Sequence, residues 1–284
     1  MTHFSHASVP LVHLTLGENT CVVSLFGGHV LSYTQSGVEK LFMSKQAKLD
    51  GSRPIRGGIP VCWPWFGQLH PDINEHKLAH GLVRQQLWEL DAKVSTAKSV
   101  SITLSPTDLT HPLWPQGLTC QLIITLTHDH LEVKLLSHNK GEKPVPLSCA
   151  LHSYFAIDDL QETSLIGITG EYSDNANEGA IGSTPETYRF TGEVDRGGVR
   201  SFDGYIALHA RCNHLPIVID NGTHRAGHRF PKGSMTYLHE PRVSANHAVA
   251  LGLPKTFAYG EAKSFIRPKC QFLTNSLATA QDNA

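Results

Sequence analysis

The chain has no Cys-x-x-Cys pair: Cys21, Cys62, Cys120, Cys149, Cys212 and Cys270 stand far apart. Neither a zinc knuckle nor a thioredoxin-type motif can be built on that spacing, and a reduced, cytoplasmic compartment is the expectation for thiols so scattered. Excess charge is lacking too. Lys plus Arg total 24 against 25 Asp plus Glu, so no broad field favours nucleic acid or an anionic membrane, and any bound anion must meet a local cluster. No apolar run approaches the ~20 residues of a spanning helix. The opening MTHFSHASVPLVHLTLGENT has neither the basic leader nor the continuous apolar core of a secretory signal. A soluble, unprocessed chain is expected, with no nucleic-acid and no membrane partner.

Long helical periodicity is also nearly absent, as are fixed-period repeats and low-complexity linkers. What recurs instead is short alternating or β-branched stretches bounded by Gly, Pro, Asn or Asp: 20–26, 99–104, 118–127, 131–137, 164–169, 217–220 and 234–238. These read as strands joined by turns. LTCQLIITLT and LEVKLLSH, separated by THDH, read as a hairpin. Helix is expected only in short pieces, MSKQAKLD (43–50) and the tail after Asn275, and the glycine-rich 167–182 reads as a long loop. The predicted fold is therefore all-β, a large antiparallel β-sandwich with few short helices. One catalytic domain over 1–275 and a frayed tail over 276–284 are expected.

The most unusual stretch is RGGIPVCWPWFG, residues 56–67. Two glycines permit backbone conformations or close approach that a side chain forbids, and proline stiffens the exit, which would hold Arg56 at a fixed place. Trp63 and Trp65 beside such a turn could wall a pocket for a sugar ring. On spacing alone they could equally be core residues, with Arg56 paired to a surface acid.

Downstream stand HGLVR (80–84), LHSYF (151–155), VDR (194–196) and TFAYGE (256–261). In this order the motifs closely resemble the hexose-6-phosphate mutarotases, or glucose-6-phosphate 1-epimerases, of the aldose 1-epimerase superfamily. The resemblance runs from about Val22 to Glu261. It implies a galactose mutarotase-type β-sandwich, a hexose 6-phosphate as small-molecule substrate, and no metal or cofactor.

By the same resemblance, Glu261 is the base that removes the anomeric hydroxyl proton and His152 the acid that protonates the ring oxygen. Both types titrate near enough to neutrality, at about 4.3 and about 6.5, to be tuned for the task. His80 would orient the sugar, and Asp195 would accept its hydroxyls as a double acceptor. Arg56 and Arg84 would form charge-assisted bonds to phosphate, and Trp63 would line the pocket.

The sequence departs from the family after Asp195. His239-Glu240-Pro241 stands where the family has tryptophan-asparagine-proline, RVSANHAVALGLPK replaces an acidic stretch, and Ala262-Lys263 follows Glu261. Glu240 is therefore a rival base. His128 and His130 of THDH read as exposed turn residues, and a third metal ligand cannot be placed. A mutarotase for unphosphorylated aldoses and a noncatalytic sugar-phosphate-binding module are the competing functions; a monomer is the default state.

Overall fold

Alternation of more and less buried side chains, the mark of a strand with one face on a core, runs through Ser99–Pro106 and Leu118–Thr127 in the computed structural model of the protein. The structure describes residues 4–66, 78–141, 145, 147–157, 163–166, 170–174, 177–185 and 187–190. It adds the backbone of strands within 195–257.

Strands β1 (Leu11–Leu16), β2 (Asn19–Ser24), β3 (His29–Gln35) and β4 (Val38–Glu39) form one antiparallel meander. After the short β5 (Val61–Cys62), a second meander runs through β6 (Trp88–Ser95), β7 (Ser99–Pro106), β8 (Leu118–Thr127) and β9 (Leu131–Asn139). The expected hairpin is its last step, closing at the Leu126–Leu131 pair.

Then follow β10 (Leu147–Ala156), β11 (Thr163–Ile166), β12 (Gly170–Asp174), β13 (Ala180–Thr184), β14 (Thr187–Arg189) and β15 (Asp195–Arg200). The last are β16 (Tyr205–Ala210), β17 (Ile217–Asp220), β18 (Ser234–His239), β19 (Ala248–Gly252) and β20 (Lys255–Phe257). An eight-stranded sheet runs β13-β12-β15-β18-β19-β10-β20 with β5 also on β10, and β14-β11-β16-β17 make a further sheet.

The main core joins these layers. Leu14, Val23 and Tyr33 of the first meander meet Ile102, Leu122, Ile124 and Leu135 of the second, with Val61, Leu151 and Phe155 from β5 and β10. This is the antiparallel β-sandwich that the sequence predicts. No helix among the described residues is long and apolar enough to cross a membrane.

Two local expectations fail. Residues 43–50 form no helix: the Ser44 hydroxyl takes the Gln46 amide at 3.2 Å in a turn, and Leu49 offers its carbonyl to Ser8 and Val9 while its side chain packs beside Val9 and Phe26. Anchoring to the N-terminal segment outweighs a weak local helix preference. The 167–182 stretch is no simple loop either, since β12 and β13 pair from Gly170–Thr184 to Asp174–Ala180. Its glycines serve the hairpin: Gly179, at φ 81°, makes the turn, and Gly182 leaves room for the ring of Tyr172 opposite.

Candidate active site

Residues 56–62 are stitched on both sides. Gly58 N donates to Phe42 O at 2.8 Å and Ile59 N to Val30 O at 2.8 Å, while Tyr154 N donates to Gly58 O at 2.8 Å and His152 N to Pro60 O at 3.0 Å. Gly57 and Gly58 have φ of 102° and 63°, and a Cβ on either would collide with a carbonyl oxygen, of Phe42 or Val30 respectively. Only glycine fits both demands. Arg56 O accepts from Ser44 N at 3.2 Å and Gly57 O lies 2.7 Å from Nε2 of the buried His29. The backbone on either side of Arg56 is thereby fixed, and its side chain is exposed.

Strand parity then decides which side chains form the site. Along β10, Cys149, Leu151 and Phe155 enter the main core. Ala150, His152 and Tyr154 take the opposite face, where Ala150 packs with Cys62 and Phe66. Trp63 has the other parity. It is fully buried in the main core, its Nε1 donates to Ser137 Oγ at 2.9 Å, and its ring centroid lies 4.9 Å from that of Trp114. The expectation that Trp63 lines the pocket is thus corrected: it supports the sheet from beneath.

His80 arrives from the loop that returns to this face. Leu82 N donates to Trp63 O at 2.8 Å and Trp65 Nε1 to Leu78 O at 2.9 Å. His80 itself adopts φ 69°, left-handed for a residue with a Cβ, a conformation that costs of order 1–3 kcal/mol and persists only where its surroundings impose it. Four rings meet as a result. Phe66 lies 4.9 Å from His80 and 5.8 Å from His152, His80 meets His152 edge-on at 6.3 Å, and Tyr154 lies 4.9 Å from His152.

Arg84 sits on the 3-10 turn Val83–Gln85. Trp88 Nε1 donates to Val83 O at 2.9 Å, and Gly27 N to Gln86 O at 2.8 Å. Its Nε is buried and has no hydrogen-bond partner, and among the described residues no carboxylate pairs with Arg84 or Arg56. Burial draws the Arg84 guanidinium below its ordinary pKa, with the nearby Cys62 and Tyr154 opposing.

The neighbours are kept neutral. Burial pushes the Cys62 thiol up to about 12 against the pull of Arg84. Tyr154 rises to about 12, chiefly by burial with Cys62 adding and Arg84 and Arg56 opposing. Burial lowers His29 to about 4, its Gly57 bond opposing and Arg84 adding. A half-buried cation among neutral groups is a place for an anion; Tyr154, within its electrostatic reach, lies 4.9 Å from His152, one of two imidazoles able to move protons.

Of the sequence candidates, His80 and His152 meet directly, and Arg56 and Arg84 join them through Tyr154, which lies within electrostatic reach of both arginines and packs on His152. Asp195 lies across the same sheet, in the register row that runs from Tyr154 through Ala250 and His239, three strand spacings or about 14 Å from Tyr154. Glu261 and Glu240 lie outside the described residues. His29, Phe66 and Tyr154 are not among the sequence candidates, although Phe66 and Tyr154 fall within the motifs CWPWFG and LHSYF. His128, in the β8–β9 turn, faces Ala97 O at 3.2 Å, and among the described residues no three His, Cys, Asp or Glu cluster as a metal site.

The pattern of the family described as Aldose 1-epimerase matches residues 10–185. A protein of Escherichia coli (strain K12) named "Putative glucose-6-phosphate 1-epimerase" is 33% identical over 162 residues, 55% of this chain and 51% of that protein. One of the same name from Cenchrus ciliaris is 29% identical over 171 residues, 56% of this chain and 50% of that protein. The chain thus spans about half the length of the curated relatives it matches. The crystal structure of a "putative mutarotase" from Salmonella typhimurium superposes with a TM-score of 0.72 at 20% identity, covering 92% of this chain and 88% of that one. A Synechocystis protein gives 0.72 at 19% identity, over 97% and 100%. These likenesses establish the fold.

Proposed function

Because the chain belongs to the aldose 1-epimerase family, we propose that it interconverts the α and β anomers of an aldohexose 6-phosphate, glucose 6-phosphate first among them. Glu261 removes the proton of the anomeric hydroxyl, and the electron pair left on that oxygen forms the aldehyde carbonyl as the bond from the anomeric carbon to the ring oxygen breaks. His152 delivers a proton to the departing ring oxygen. Rotation of the aldehyde end and the reverse transfers close the ring on the other face. Each such group contributes about 10²–10⁴ in rate. His80 orients the sugar, Asp195 accepts its hydroxyls, and Arg56 and Arg84 hold the phosphate.

The observation that carries the phosphate is the buried, unpartnered Nε of Arg84, on a cation within electrostatic reach of Tyr154, whose ring lies 4.9 Å from that of His152. A neutral sugar can offer hydroxyl acceptors but no charge to a half-buried cation, whereas a phosphate supplies both the charge and the missing acceptor. The names of the curated relatives point the same way. A cytoplasmic setting belongs to the same reading, supported by the buried free thiols of Cys21, Cys62, Cys120 and Cys149.

Two-dimensional exchange NMR on the anomeric protons of glucose 6-phosphate and of glucose, with and without the protein, tests it. Accelerated exchange for the phosphate ester well beyond that for glucose is expected. Equal acceleration would make this a free-aldose mutarotase, and none with either sugar would overturn catalysis.

A further inference from the structure

Tyr154 shares the site face of β10 with His152, two residues away, their rings 4.9 Å apart and tilted by 33°. Its backbone is pinned from both sides: Tyr154 N donates to Gly58 O at 2.8 Å, and Tyr154 O accepts from Phe42 N at 2.9 Å. The Gly57-Gly58 turn that positions Arg56 therefore positions this ring as well.

The side chain is only partly buried, and its hydroxyl makes no hydrogen bond among the described residues. Both Arg84 and Arg56 lie within electrostatic reach of it, yet burial keeps it a neutral O–H near neutral pH. A protonated phenol within electrostatic reach of two cations, with no protein acceptor of its own among the described residues, is arranged to donate to a ligand oxygen.

We infer that Tyr154 is a substrate-binding and specificity-determining residue, whose hydroxyl donates to the phosphate held by Arg56 and Arg84 and ties that end of the substrate to the face occupied by His152. This rests on the reading of the two arginines as a phosphate site. The competing role is packing alone, with the ring buttressing the imidazole of His152. Phenylalanine would serve that role equally well.

Tyr154→Phe separates the two. It removes one oxygen that makes no internal hydrogen bond, so the unfolding midpoint should hold. Calorimetric titration of the wild type, Tyr154→Phe and Arg84→Ala with glucose 6-phosphate and with glucose gives the decisive comparison. The expected result is a loss of roughly tenfold in affinity for glucose 6-phosphate in Tyr154→Phe, at least several times the loss for glucose. Unchanged glucose 6-phosphate affinity in Tyr154→Phe, with affinity lost in Arg84→Ala, overturns the role of Tyr154 and leaves the phosphate site standing. Equal losses for both sugars in Tyr154→Phe overturn it in favour of a hydroxyl that meets the sugar ring rather than the phosphate. A wild type that does not prefer glucose 6-phosphate to glucose overturns the phosphate site itself, and the role of Tyr154 with it.

Discussion

Nε2 of His29 lies 2.7 Å from the carbonyl oxygen of Gly57. A carbonyl can only accept, so Nε2 carries the proton, and the buried imidazole is neutral and fixes the turn that presents Arg56. Its pKa falls from 6.5 unfolded to about 4 folded. Between these values the unfolded chain binds the extra proton, so stability declines as pH drops from 6.5 towards about 4 and levels off below. The loss reaches on the order of 3 kcal/mol. His29→Gln keeps a donor of similar reach without the titration. Urea unfolding midpoints at neutral and mildly acid pH should converge in that variant.

Gly58→Ala should destabilise the protein by roughly 2–5 kcal/mol, the sum of a left-handed penalty of about 1–2 and an overpacking cost of about 1–3. Its new Cβ would strike the Val30 carbonyl oxygen, which already receives Ile59 N. Gly37→Ala is the matched control, because Gly37 has φ 77° and nothing within 4 Å of the added carbon. It should show the backbone penalty alone, about 1–2 kcal/mol. Equal costs by thermal unfolding would show that the close approach at Gly58 contributes nothing.

Trp63→Phe should cost about 2–4 kcal/mol, since it opens a void in the main core and strands the Ser137 hydroxyl. A double-mutant cycle with Ser137→Ala should return a coupling of about 0.5–1.5 kcal/mol. A residue walling the sugar would instead show itself in the Michaelis constant. A large rise there with little loss of stability would return Trp63 to the pocket.

These cases show what was legible in the sequence. The β8–β9 hairpin could be read because alternation and a polar turn are local signals. The glycines at 57 and 58 could be read as backbone demands for the same reason. The burial of Trp63 could not, because the face a side chain takes depends on which sheet its strand enters, and β5 enters by pairing with β10. Nor did β10 stand out as a strand: in LSCALHSYFA Leu147, Cys149, Leu151 and Phe155 alternate, but Ala150, Tyr154 and Ala156 on the other parity are not strongly polar, so the contrast between the faces is weak. Tyr154 and His29 escaped notice because their meaning lies in Gly57, Gly58 and Arg84, which only the fold brings beside them.

The base assignment divides two glutamates. Glu261→Gln should reduce anomer exchange of glucose 6-phosphate by about 10²–10⁴ while leaving its affinity within a few-fold. Glu240→Gln, on the residue after β18, should retain most of the exchange. The reverse pattern would transfer the role of base to Glu240.

Arg84 supplies the sharpest separation of function from stability. A half-buried guanidinium with an unpartnered Nε and no acid beside it among the described residues costs the folded state desolvation that no ion pair returns. Arg84→Ala should therefore leave the unfolding midpoint level or higher, and raise the Michaelis constant for glucose 6-phosphate by about 10–100-fold, the loss expected for a hydrogen bond to a charged group. Arg84→Lys should recover only part of that, because an ammonium restores charge without the planar fork. Arg56 is exposed, so water screens its charge and Arg56→Ala should cost less. A drop in the unfolding midpoint of Arg84→Ala, with equal kinetic losses on glucose and glucose 6-phosphate, would make the arginine a structural element.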